Sequence, residues 1–127
     1  MAKWANDAVM DAALTKVATA TNMIVCSGAS APADRAGALA AALATVAVTP
    51  GDGNGDFTIA NGNVSGRKVT MAEQDNITVD VSDDATHVAL IDGSILLYVT
   101  TCTTPQALVA GNTVKIPTWK IEITDPS

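Results

Sequence analysis

The sequence predicts a mainly β fold: an antiparallel β-sandwich or jelly-roll-like domain carrying an N-terminal amphipathic helix and a second short helix. Beyond Pro50 the chain breaks into at least six short β-branched and apolar runs, separated by Gly, Asn and Asp turns at about 8–12-residue spacing. Helical periodicity is confined to the front of the chain, so the helices decorate a sheet instead of alternating with its strands. With 127 residues and no linker or internal repeat, the expectation is one domain over 1–127. It divides into a helical segment at about 6–21, a short helix at about 33–44 and a β-rich body at about 45–124.

The first helix follows from Met10, Leu14 and Val17 recurring at helical spacing, with Asn6 placed to cap it and Asp7 favourable at the positive end of the dipole. Met23-Ile24-Val25-Cys26 reads as a buried strand closed by Ser27-Gly28. Pro32 opens the second helix, with Asp34 in its first turn and an Ala-rich body that gives way to extended Thr45–Val48. Phe57–Ala60 and Arg67–Ala72 are strands around the tight-turn signal Asn61-Gly62-Asn63. In Asn76–Val81 the alternation points Ile77, Val79 and Val81 inward. Thr86–Ile91 leads through the Asp92-Gly93 turn to Ile95–Thr100, which is apolar enough to be a central strand. Val114–Ile123 closes the chain, with Pro117 at a bulge or edge where the face parity shifts.

Thirteen acids against seven bases give a net charge of -6, which excludes a general nucleic-acid binder, since neutralising phosphates needs clustered Lys and Arg. Residues 73–127 hold eight acids against Lys115 and Lys120, so the whole imbalance sits there. Asp75, Asp83 and Asp84 are expected in turns, as a solvated rim. An apolar content of 48% excludes a disordered acidic tail. The aromatics are Trp4, Phe57, Tyr98 and Trp119 alone, so Ala, Val, Ile and Leu must build the core. Such a core suits flat, closely stacked layers better than a roomy ligand pocket. The longest apolar run, residues 36–44, is too short to span a bilayer, and residues 1–7 lack a signal-peptide pattern, so neither membrane insertion nor export by this route is expected.

Chemistry-bearing constellations are sparse. His87 is the sole histidine, in a strand and without a nucleophile-elbow motif, and reads as a structural hydrogen-bonder, not a catalytic base. Asp52-Gly53-Asn54-Gly55-Asp56 begins like a calcium loop. Phe57 then stands where the turn glycine belongs and Asn63 where the closing Glu belongs, so a flexible Gly-rich loop is the better reading. Cys26 and Cys102 read as buried thiols instead of a bridge, and with one His they fit no zinc motif. No catalytic residue, cofactor or metal site is expected. Ser65-Gly66-Arg67-Lys68 is the one paired basic spot, a solvent-facing strand start or a contact to an acidic partner. Trp4 either staples the first helix to its own domain, the preferred reading, or anchors an arm on a neighbouring subunit. Trp4, Arg67 and Lys68 are thus the candidate partner-binding residues.

Several stretches together resemble small virion proteins of tailed bacteriophages, of the head decoration or cement type. They are Trp4–Leu14, Asp56–Gly62, Val64–Val69, Ala85–Leu90, Leu96–Cys102 and Trp119–Ile123. The Gly51–Gly55 loop looks like an insertion relative to that pattern. The resemblance implies a homo-oligomer, a dimer or trimer, that binds the major capsid protein on the capsid surface and bridges coat subunits. It also implies a protein made in the host cytoplasm, with no direct nucleic-acid or membrane contact. Other virion roles (tail tube, spike or head–tail junction) and a soluble ligand-binding sandwich are the alternatives.

Overall fold

The computed structural model describes residues 4–125. Residues 1–3, part of the signal-peptide reading, and residues 126–127 of the single-domain expectation lie outside them. The chain is mainly β, with antiparallel sheets in a sandwich-like arrangement and a helix at its front.

Helix α1 (Asp7–Val17) starts where the Asn6 side chain accepts the Ala8 N–H at 2.8 Å. It stops at Val17, earlier than the expected 21, because the Thr19 amide and hydroxyl both donate to the Lys16 carbonyl. Strand β1 (Asn22–Cys26) is flanked on both sides, by β2 (Ala42–Ala47) and β6 (Asp83–Ile91), all antiparallel. That position explains its unbroken apolar run: Met23 and Val25 enter one core, Ile24 and Cys26 another. Helix α2 (Arg35–Ala40) is shorter than the expected 33–44. Asp34 caps it through the Gly37 N–H at 2.7 Å, and pairing with β1 draws Ala42–Ala44 into β2, overriding the helix preference of alanine.

Strand β7 (Leu96–Leu108) completes a sheet ordered β2-β1-β6-β7. A second sheet is ordered β3 (Phe57–Asn61), β4 (Arg67–Met71), β9 (Trp119–Ile123), and β5 (Gln74–Thr78) forms a two-stranded ribbon with β8 (Thr113–Ile116). Leu14, Met23, Val25, Leu43, Phe57, Val69, Met71, Val79, Leu90 and Ile121 form the main core between these layers. On the opposite face of the four-stranded sheet, Ile24, Cys26, Ala89 and Ile91 pack with Ala38 of α2. That sheet is therefore a middle layer, covered on both faces.

Three further expectations are corrected. Ile95–Thr100 is not central: β7 is an edge strand, hydrogen-bonded to β6 alone among the described residues. The inward alternation of Asn76–Val81 fails after Val79. The Asp80 and Val81 amides donate to the Leu43 carbonyl, turning the chain across the edge of β2 and leaving Val81 50% exposed. Asp75, Asp83 and Asp84 lie in β5 and β6, not in turns, although they are exposed. Pro117 stands between β8 and β9, where the chain passes from the ribbon to the other sheet, so its lost N–H interrupts no ladder.

Candidate partner-binding surface

Trp4 is 82% exposed, so it does not staple α1 to its own domain. Val9, one turn into the helix, is also exposed, and a groove of about 350 Å³ lined by Ala5, Val9, Met10, Ala13, Ile123 and Thr124 runs beside it. Apolar surface thus lies along the start of α1, with none of the described residues covering it.

The two candidate bases are differently placed. Gly66 (φ +69°) makes the turn into β4, and a Cβ there would run into the Ile123 carbonyl oxygen, so only glycine lets the turn lie against the end of β9. The turn delivers Arg67 to α1. Its Nε and Nη2 donate to the two Asp11 carboxylate oxygens at 2.7 and 3.3 Å, and Nη1 donates to Asn61 Oδ1 at 2.7 Å. The Asp11 hydrogen bond raises the Arg67 pKa above its ordinary value. Arg67 is therefore a clamp between helix and sheet, with its fork already occupied. Lys68 donates to Asn63 Oδ1 at 2.7 Å. Among the described residues neither base hydrogen-bonds Trp4; both are spent on partners of their own.

His87 is 5% exposed and faces the α2 side, paired across strands with Cys26 and Thr101. Its Nδ1 lies 2.8 Å from Thr86 Oγ1, and that hydroxyl donates to the Gly28 carbonyl at 2.7 Å. The Gly-rich loop is not the flexible loop expected. Asp52 accepts from the Ile59 amide at 2.8 Å, while Asp56 accepts from the Thr49 amide at 2.6 Å and from Gln74 Nε2 at 2.9 Å. Its carboxylates are spent on the loop's own lacing. Among the described residues no three His, Cys, Asp or Glu side chains gather as a metal cluster.

Cys26 and Cys102 are both free thiols. Burial first, and then Cys102, push the Cys26 thiol up to about 11, and burial raises Cys102 as well.

Sequence reasoning missed a cleft of about 390 Å³, where flat, close-stacked layers were expected. Thr100, Cys102 and Thr104 of β7 face Lys115, Trp119 and Lys120 across it. The indole N–H of Trp119 is buried without a hydrogen-bond partner among the described residues, and its ring packs on Tyr98 at 6.1 Å between centroids. The ammonium groups are neutralised locally, Lys115 by Glu73 and Lys120 by Glu122, each at 2.6 Å. The Lys120 hydrogen bond holds the Glu122 carboxyl below its usual range. The sequence signal for this region was the charge-free stretch Leu96–Leu108 with Pro105 inside it. Among the described residues no helix is long and apolar enough to cross a membrane.

Comparison of the chain with protein-family models, with curated proteins and with solved structures finds no match in any of the three.

Proposed function

We propose that the chain is a virion structural protein of the head-decoration type: a homo-oligomer that binds the major capsid protein on the capsid exterior and bridges neighbouring coat subunits. The observation that carries this reading is Trp4. A tryptophan 82% exposed, next in sequence to Ala5 of an apolar groove, is costly to keep in water and is covered by none of the described residues. Aromatic residues of this kind are the usual anchors of protein interfaces. Arg67, Lys68, Lys115 and Lys120, by contrast, are occupied within the domain, which favours an apolar adhesive surface over a cationic one.

The mechanism follows from linkage. A ligand that binds only the assembled shell stabilises it, by about 2.7 kcal/mol per site at a free concentration roughly a hundredfold above Kd. Many copies on one lattice multiply a modest contact, and engagement of two coat subunits by one oligomer raises the effective concentration of the second contact.

The test uses phage heads carrying this protein and the same heads stripped of it. Stripped heads lose heat resistance, and adding back the purified chain restores it, whereas Trp4→Ala protein restores less at equal concentration. Equal survival of stripped and decorated heads overturns the proposal. A copy number set by one ring instead of the whole shell moves the protein to the tail or the head–tail junction.

A further inference from the structure

Strand β7 has the composition of a central strand and the position of an edge. Leu96-Leu97-Tyr98-Val99-Thr100-Thr101 is apolar and β-favouring, yet none of the six is fully buried and Tyr98 is 38% exposed. An open edge offers a row of unpaired N–H and C=O groups, and proteins ordinarily blunt such edges with charge, proline, bulges or a covering segment. The other edges here follow that rule. The Asp80 and Val81 amides bond the Leu43 carbonyl at β2, and Asp52 bridges Phe57 and accepts the Ile59 amide at β3. Asp75 lies on β5, Lys115 on β8, and Lys120 with Glu122 on β9. From Leu96 to Leu108 there is no charged residue. The protections β7 does have are a bulge at Leu97, between Leu96 and Tyr98, and, in its second half, Pro105 and the register break between Thr101 and Gln106. Between these features Tyr98–Thr101 is left in regular register, uncharged and, among the described residues, without a strand on its outer side.

We infer that this half of β7 pairs with the same half of β7 in a second copy, antiparallel about a two-fold axis, joining two four-stranded sheets into one of eight strands. An antiparallel pair of identical strands is self-complementary, as an isologous interface requires. Charge selects the same seam. The net charge of -6 sits in residues 73–127, the part that holds β7, and repulsion between two copies of that part is least along the charge-free Leu96–Leu108. Pairing turns β7 into the central strand its sequence describes. The inference takes from the proposed function only that copies self-associate, and it concerns free protein, so failure of the head assay leaves it standing.

The experiment measures mass by sedimentation and amide hydrogen exchange across a concentration series of the full chain, with Tyr98→Lys alongside. The wild type forms dimers, and protection of Leu96–Thr101 amides rises with concentration. Tyr98→Lys, which puts like charge into both sides of the seam, is monomeric, with an unchanged circular dichroism spectrum and fast-exchanging β7 amides. A monomer at every concentration overturns the inference. So does a dimer whose β7 amides stay unprotected, or one that Tyr98→Lys leaves intact; both place the contact elsewhere, with the Trp4 strip next in line. Should Tyr98→Lys lose its native spectrum, concentration-dependent protection in the wild type alone decides.

Discussion

Three glycine-to-alanine substitutions separate two costs that are usually confounded. At Gly93 the φ is ordinary and an added Cβ meets nothing within 4 Å. Alanine there reduces only the freedom of the unfolded chain, so stability rises by about 0.4–1 kcal/mol. At Gly111 the surroundings are equally open but φ is +93°. Alanine then bears the left-handed backbone penalty, about 1–2 kcal/mol. At Gly66 φ is +69° and the new Cβ collides with backbone, the Ile123 carbonyl, which no side-chain rotation relieves. Adding an overpacking cost of about 1–3 kcal/mol to the dihedral one gives roughly 2–5 kcal/mol. Against a total of about 5–15 kcal/mol for a domain this size, that shift is plain in a urea titration. The slope of free energy against urea stays the same if only the native state is strained. The reasoning fails if Gly66→Ala costs no more than Gly111→Ala, because the β4 turn would then not be held against the end of β9.

Trp4→Ala changes the stability of the free protein by less than about 0.5 kcal/mol, as a residue exposed to 82% should; a larger loss in a denaturation curve would restore the staple. Asp92 accepts the Ser94 and Ile95 amides at 2.7 and 2.8 Å, and the Ile95 and then the Ser94 bond lower its pKa. A depressed carboxyl stabilises the fold above its unfolded value, roughly 3.9, and loses that contribution as pH falls through the folded value. Asp92→Ala is therefore less stable than wild type at neutral pH, and thermal melts converge below about pH 4. Thiol labelling at pH 8 modifies Cys102 first. Cys26, with a pKa of about 11, is thiolate in only about one molecule in a thousand and reacts on unfolding; equal labelling rates would contradict its burial.

What was legible in the sequence was whatever depended on local chemistry. Asn6 as a cap, the unbroken Met23–Cys26 run, the Asp92-Gly93 turn and the shared face of Trp119, Ile121 and Ile123 all stand in the structure. Long-range pairing hid the rest. Alanine at 42–44 favours a helix, but the ladder with β1 claims it for a strand. Val81 continues a clean alternation, yet hydrogen bonds to Leu43 carry the chain away before it can matter. Edge and centre look alike in one strand's composition, so Leu96–Val99 gave no sign of lying outermost. The candidate site divides in the same way. Trp4 was conspicuous in the sequence, while the occupation of Arg67 by Asp11, 56 residues earlier, is a tertiary fact. The Asp52–Asp56 lacing with Thr49, Ile59 and Gln74 is another.

The proposal that this chain adheres to a shell is tested most directly by imaging the particle that carries it. The account predicts density matching the four-stranded sheet and its covering helix on the outer face of the head, repeated over the lattice, with the Trp4 end of α1 against coat subunits. Density confined to a tail or a single ring, or a particle that contains none of this chain, would contradict it.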